Sequence, residues 1–309
     1  MLNGFNVLIC GSSPITEIHI KVLKKIKFCK IKYIFGEDKK KICEISKNYN
    51  LEVCEDLNSN KLNECNMAVI TTATYKHYNI IKKLSAIIQN FVVEKPVVTT
   101  LKELEDLIKL NQESEINLFE VSQNIFNPKL KKYKNKINKL EIIINKNRQI
   151  KKYCNYKNQI EKSKSPIMAQ IPHWYDVSTN LVGETLFLEQ VIKKKINIQS
   201  PFNDYYEILL VSKDKKKKSL IKLNYASDTS KPTKLIFENR IINFADNKYI
   251  TILNNLFNKI NPNNLYFFND KNFYMMYQSY MNKIQKNEKI NPSYYYEKIK
   301  LLDSLNEEI

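Results

Sequence analysis

The sequence predicts an α/β protein, with a doubly wound parallel sheet over residues 1–120 and an α+β domain with a mostly antiparallel sheet over residues 121–309. Three observations predict it. Short β-branched apolar runs alternate with amphipathic helical stretches through the first third of the chain. After about residue 120 that rhythm gives way to successive strands joined by polar turns. A length of 309 residues, 43% of them hydrophobic, is enough to bury two cores.

The first strand is expected over Asn6–Cys10, and Ile15–Lys27 follows it as a helix with apolar residues at 15, 18, 22, 23 and 26. Strands are then expected at Lys32–Phe35, Met67–Thr71, Phe91–Val93 and Ile116–Val121, with helices Lys39–Tyr49, Asn79–Ile88 and Leu101–Asn111 crossing between them. In the second domain Lys129–Lys139 and Pro172–Val182 read as helical. Tyr205–Val211, Ser219–Tyr225, Thr233–Glu238 and Arg240–Phe244 read as strands. Helical stretches over Lys248–Ile260, Asp270–Lys286 and Ser293–Leu305 close the chain, and the last of them is free to return to the first domain. The lysine tracts Lys193–Lys195 and Lys215–Lys218 read as solvated turns.

Fifty Lys and Arg against 32 Asp and Glu give a net charge of +18, but only Arg148 and Arg240 are arginines. The lysines are spread along every helix in a background rich in Asn and Ile, so the charge reads as compositional drift and not as a nucleic-acid footprint. Six cysteines form no CxxC pair and lie at no metal-ligand spacing with histidine, so no metal is expected and the thiols read as reduced. No apolar run approaches the length of a membrane span, and the expected location is the cytosol.

Three strand exits and one helix carry the chemistry. The segment Val7–Thr16 is a strand, a tight turn and a helix start, with Gly11, Ser12, Ser13, Pro14 and Ile15 at the turn. A three-glycine dinucleotide fingerprint would need glycine at 11, 13 and 16; this chain offers Gly, Ser and Thr, all small enough for backbone to approach a pyrophosphate at the helix N-terminus. The alternative is an ordinary turn with Ser12 or Ser13 as N-cap. At the end of the second strand, Glu37 or Asp38 in the ribose-binding role would favour NAD, whereas an acid-free Gly36 beside Lys39–Lys41 would admit the 2′-phosphate of NADP. Further on, Glu94-Lys95-Pro96 leaves a buried strand where parallel sheets present ligands, and Pro96 biases Lys95 toward extended backbone. In the helix expected over Pro172–Val182, His173 and Asp176 are three apart and share a face.

Together these stretches resemble the glucose-fructose oxidoreductase, inositol dehydrogenase and MocA (Gfo/Idh/MocA) family of NAD(P)-dependent oxidoreductases. The turn Gly11–Thr16 with His19 is similar to the family's cofactor turn, and Thr72-Ala73-Thr74-Tyr75-Lys76-His77 resembles its Thr-Pro-x-x-x-His segment with Ala73 in place of proline. Glu94-Lys95-Pro96 matches its most specific signature, and His173-Trp174-Tyr175-Asp176 resembles the helix of its catalytic histidine. The resemblance implies a Rossmann first domain binding NAD or NADP through Gly11, Ser12, Ser13, Pro14, Ile15, Glu37, Thr72, Ala73, His77, Glu94 and Lys95. It implies Lys95 and His173 as the catalytic pair, with Asp176, Gln123 and Asn124 toward the substrate, a sugar or nucleotide-sugar whose carbinol or ketone exchanges hydride with nicotinamide. A homo-oligomer is expected with it. One departure stands out: inositol-dehydrogenase-type members carry an Asp four residues before the histidine, and here that residue is Ala169. The alternatives are therefore a family member acting on an imine or tetrapyrrole, or one that has lost turnover and serves as a binding or sensory protein. Trp174 and Tyr175 are expected in packing, while Tyr153 and Tyr156 are candidates to stack on a sugar or base.

Overall fold

The computed structural model describes residues 4–146, 167–197, 200, 203–245, 264–266 and 270–306. The helix expected over Lys248–Ile260 and the residues Tyr153 and Tyr156 lie outside them. The chain divides into two compact units, residues 1–123 with 270–304, and residues 124–269 with 305–309.

In the first unit β1 (Phe5–Cys10), β2 (Cys29–Phe35), β3 (Glu52–Val53), β4 (Met67–Ile70), β5 (Asn90–Val93) and β6 (Asn117–Glu120) form one sheet in the order β3-β2-β1-β4-β5-β6. Every neighbouring pair is parallel. Helices α1 (Pro14–Leu23), α2 (Lys39–Tyr49), α3 (His77–Leu84) and α4 (Leu101–Ser114) make the crossovers. Burial on both faces explains the unbroken apolar strands: Val7–Cys10, Met67–Ile70 and Phe91–Val93 have no exposed surface. The chain leaves β1 toward β2 on one side and returns to β4 on the other, so the reversal point lies where Cys10 pairs with Phe35 and with Ile70. That is where a doubly wound sheet opens a crevice.

The helix ends are set locally. Asp38 caps α2 by accepting from the Lys41 N–H, and Thr100 with Glu103 forms a reciprocal capping box on α4. Beyond β6 the sheet would end in unpaired ladder groups, and the C-terminal segment takes them. Ile290 O accepts from the Leu118 N–H, Tyr295 OH donates to Leu118 O and accepts from the Glu120 N–H, and Tyr280 OH donates to Glu120 O at 2.6 Å. The helix Asp270–Gln285 supplies Tyr280, whose ring stacks on Phe119 at 4.8 Å, and the helix Tyr296–Asn306 follows it.

The second unit is built on a mixed, mostly antiparallel seven-stranded sheet, β13-β12-β11-β7-β10-β9-β8. Its strands are β7 (Lys139–Asn145), β8 (Phe187–Lys194), β9 (Tyr205–Val211), β10 (Lys218–Asn224), β11 (Thr233–Phe237), β12 (Arg240–Ala245) and β13 (Asn264–Tyr266). Only the β7–β10 and β12–β13 pairs are parallel. The helix Ile167–Val182 packs on β7 and β10, where Ser178 and Ser219 hydroxyls meet at 2.8 Å. It ends at Gly183, whose φ of +85° and close approach to Asn135 exclude a Cβ.

Two expectations are corrected here. The helix expected over Lys129–Lys139 is a single turn, Pro128–Lys131, after which the chain runs into β7; Leu140, Ile142 and Ile144 are buried at a spacing of two, which only a strand turns to one face. Lys193 and Lys194, expected in a turn, end β8, an edge strand with a bulge between Leu188 and Gln190. Lysines and a bulge are what keep such an edge from pairing with another chain. The expected helix Pro172–Val182 also begins earlier, at Ile167, and contains Pro172 near its start.

Candidate active site

The site residues of the first unit gather at the carboxyl ends of β1, β4 and β5. Gly11, at φ +143°, packs so tightly on β4 that a Cβ would lie 2.3 Å from Thr71 Oγ1 and 2.8 Å from its carbonyl carbon. Thr71 Oγ1 donates to Cys10 O at 3.1 Å and meets Thr16 Oγ1 at 2.8 Å, so Thr16 ties α1 to β4 where the fingerprint has its third glycine. Ser13 is the N-cap of α1, yet its hydroxyl makes no capping bond and donates to Thr71 O at 3.2 Å instead; Pro14 follows as the first helical residue. The first turn of α1 is thereby left without a side-chain cap, its dipole directed at the loop Gly11–Ser13. Beside it, Thr72 Oγ1 is buried and has no hydrogen-bond partner among the described residues. These features fit a cofactor pyrophosphate, which would take the helix N–H groups and the threonine hydroxyl.

At the end of β2, Asp38 is spent as the cap of α2, while Glu37 is exposed and ion-paired with Lys76. Glu37 is thus the acid left for a ribose, and Lys76 holds it from the loop after β4. His77 opens α3 with its ring buried; Nδ1 lies 3.0 Å from Pro96 O and Nε2 3.1 Å from Thr72 O. Burial holds its pKa below 6.5, outweighing the two carbonyls that favour the charged ring. Both nitrogens face the protein's own backbone, so any contribution of His77 to a cofactor runs through the loops it joins.

Glu94, Lys95 and Pro96 leave β5 directly, with the Lys95–Pro96 bond cis. Lys95 is buried, 8% exposed, and its N–H donates to Glu94 Oε2 at 3.3 Å. Glu94 Oε1 lies 2.9 Å from Nε2 of the fully buried His19. Burial pushes against the Glu94 charge, but the His19 hydrogen bond and the charge on Lys95 prevail and hold its pKa below the usual range. Glu120, buried at the end of β6, accepts from the Val97 N–H at 2.9 Å and pairs with Lys298, fixing the loop after Pro96. Nothing in the sequence marked Lys298 or Tyr277, His19's other partner; both come from helices far along the chain.

In the second unit His173 and Asp176 are half-buried on one face of the helix Ile167–Val182, while Trp174 and Tyr175 point into the core. Trp174 meets Phe244 edge-on at 5.4 Å, and Tyr175 OH donates to Leu186 O at 2.8 Å, as expected of packing residues. Gln123 and Asn124, in the turn after β6, are each 1% exposed, yet Gln123 Oε1 and both amide atoms of Asn124 have no hydrogen-bond partner among the described residues. Among the described residues no helix is long and apolar enough to cross a membrane.

Residues 5–121 match the family model described as an oxidoreductase family with an NAD-binding Rossmann fold. No curated protein matches the chain. Among solved structures, the chain is similar to GenD2 from gentamicin A biosynthesis in complex with NAD, with 11% identity over 98% of this chain and 93% of that one and a TM-score of 0.76. A putative myo-inositol dehydrogenase from Sinorhizobium meliloti shares 13% identity over 97% and 95%, again with a TM-score of 0.76. The WlbA dehydrogenase from Chromobacterium violaceum, in complex with NADH and UDP-GlcNAcA, shares 13% identity over 98% and 94% with a TM-score of 0.73. At these identities the structures speak for the fold, while the family model names the first domain. Residues 5–121 thus carry the NAD-binding Rossmann fold of the Gfo/Idh/MocA oxidoreductase family.

Proposed function

We propose that this chain transfers hydride between a nicotinamide cofactor and a carbinol or ketone carbon of a sugar or nucleotide-sugar, with Lys95 and His173 as catalytic residues. The observation that carries the reading is the placement of Lys95: a buried lysine at the exit of β5, its backbone anchored by Glu94, in the same domain as the uncapped α1 N-terminus. Bound there, the nicotinamide supplies the hydride acceptor or donor. Lys95 donates a hydrogen bond to the reacting oxygen and offsets the negative charge that gathers on it when the hydroxyl proton leaves. His173 takes that proton, and returns it in the reducing direction; an imidazole suits the task because its ordinary pKa lies near neutrality. Gln123 and Asn124 support a hydroxylated substrate, since a buried amide with no partner among the described residues can donate and accept at once. The similarity to a putative myo-inositol dehydrogenase and to a dehydrogenase in complex with UDP-GlcNAcA leans the same way. Glu37 inclines the adenosine ribose site toward NAD, although NADP belongs in the same test. A homo-oligomer in the cytoplasm completes the reading.

Ala169 in the place of the family's aspartate favours a second reading, a cofactor-binding protein without turnover. One experiment separates the two. The purified protein is titrated with NAD and NADP by thermal shift, then mixed with inositols, free sugars and UDP-sugars while reduced nicotinamide is followed by absorbance. Binding with turnover supports the first reading, and binding without turnover of any of them the second. Failure to bind either dinucleotide would overturn both.

A further inference from the structure

The buried polar chain that ends on the Glu94 carboxylate begins on a helix nearly two hundred residues later. Tyr277, in the helix Asp270–Gln285, has no exposed surface and places its hydroxyl 2.5 Å from His19 Nδ1. His19, in α1, places Nε2 2.9 Å from Glu94 Oε1, and Glu94 Oε2 accepts the Lys95 N–H. One proton arrangement satisfies every member: the Tyr277 hydroxyl donates to Nδ1, Nε2–H donates to Glu94, and Glu94 accepts from both sides. Tyr277 fits the donor role because burial, and then the nearby Glu94 charge, push its pKa well above 10 and keep the phenol protonated. The His19 ring is further fixed edge-on against Phe273 at 5.2 Å and Tyr277 at 5.7 Å. Few rotamers are open to such a ring.

We infer that His19 and Tyr277 are positioning residues for Lys95, acting through Glu94: together they hold one carboxylate rotamer against the strand exit that carries the lysine. Its meaning for catalysis rests on the reading of Lys95 given above. A carboxylate so held does two things. It restrains the Lys95 backbone through the N–H, and it keeps a negative charge near Lys95, which favours the charged form of the amine. The other titratable groups of this unit around the same loop are His77, at the Pro96 carbonyl, and the Glu120–Lys298 pair, at the Val97 N–H. The Glu94 charge also acts on His77, so Glu94→Gln changes that ring's surroundings too, whereas His19→Leu and Tyr277→Phe leave the carboxylate in place.

The test is trace acetylation of the whole protein with acetic anhydride as a function of pH, read by mass spectrometry on the peptide carrying Lys95. With His19→Leu the Lys95 midpoint should fall by about one pH unit, as it should with Glu94→Gln. His19→Gln, whose amide can still donate to Glu94, should restore at least about half of that shift. Tyr277→Phe, which removes only the hydroxyl, should lower the midpoint by roughly a third of a unit. A merely structural role would lower the melting temperature of these variants and leave the midpoint alone; a folded His19→Leu with the wild-type midpoint overturns the inference. Should His19→Leu not fold, an unshifted Tyr277→Phe does the same. Addition of NADH tests the underlying reading separately: if NADH fails to protect Lys95 in the wild-type protein, the cofactor-side role of Lys95 falls while the shifts among variants stand.

Discussion

Glu120 and Lys298 form an ion pair with almost no solvent at either end: the side chains are 0% and 4% exposed, and the second oxygen of the carboxylate accepts the Val97 N–H. One short contact therefore joins the end of β6, the loop after Pro96 and the helix Tyr296–Asn306. Removing one partner leaves a buried charge uncompensated, which costs about 3–5 kcal/mol, whereas replacing both with apolar residues of similar volume is much cheaper. Lys298→Met is expected to lower the unfolding free energy measured in urea by that amount, and Glu120→Leu with Lys298→Met together to recover most of it. Equal losses in the single and double variants would show that the pair is not what joins these elements.

Gly11 and Gly36 should respond very differently to the same methyl group. A Cβ on Gly11 meets main-chain atoms of Thr71 as well as its hydroxyl, at a φ of +143°, so neither partner can yield. A Cβ on Gly36 meets the Ile42 side chain, 2.6 Å from Cδ1 and 2.9 Å from Cγ1, while the main chain of Gly11 stays 3.7 Å away, so a side-chain rotation can relieve the clash. Gly11→Ala is expected to destabilise by at least about 2 kcal/mol and to weaken NADH binding tenfold or more. Gly36→Ala should cost under about 1 kcal/mol. Chemical denaturation and a fluorescence titration with NADH measure both, and a larger effect at Gly36 would contradict the packing described for the turn.

His77 gives the stability a pH dependence with a defined sign. Its folded-state pKa lies below 6.5, so the unfolded chain binds the proton more readily. The ring's contribution is complete above about pH 6.5 and is lost as pH falls from there through the folded-state value, at about 1.4 kcal/mol for each unit of separation. His77→Gln, which does not titrate, should flatten the stability profile below about pH 6.5 while lowering the plateau. An unchanged slope in that variant would assign the dependence to other groups. Glu94, with its pKa held low, contributes above its ordinary value of 4.5 and loses that contribution as pH falls below it.

Much of the first domain was legible because its strands are buried on both faces and its helices are not. Continuous apolar runs such as Met67–Ile70 stand out against the period of α2 or α4, and α2 was expected to the residue; in the structure Asp38 caps its start and Asn50 ends it in the left-handed region. Glu94-Lys95-Pro96 was legible as a motif, and its position at the exit of β5 follows from the same pattern. The misses have physical causes. β8 ends in Val-Ile-Lys-Lys at a sheet edge, where charge discourages pairing and so hides the strand from composition. Lys129–Lys139 has few apolar residues to set a period, and the turn that does form there depends on Asn127 accepting from the Lys129 N–H. Tyr277 and Lys298 carry no local signal at all. Each sits among apolar neighbours on a helix, and its hydrogen-bonding role arises only when that helix meets a residue far back in the chain.

Lys95 and His173 offer the sharpest prediction because the proposed chemistry asks both to act on one oxygen. Lys95→Met removes the cation that offsets negative charge on that oxygen, and His173→Asn removes the base while keeping a hydrogen-bonding group of similar reach. Each is expected to lower single-turnover hydride transfer by roughly two orders of magnitude, since positioned charges and general bases commonly contribute that much. Dissociation constants for NADH should change by less than about threefold with His173→Asn, because uniform binding is not what that residue supplies. The double variant discriminates further. Groups that serve one transition state are strongly non-additive, so its loss should fall well short of the product of the two single losses. If the losses multiply instead, Lys95 and His173 act on separate steps. If His173→Asn transfers hydride as fast as wild type, the proton is taken by another group, and Asp176, on the same helix face, is the next residue to replace.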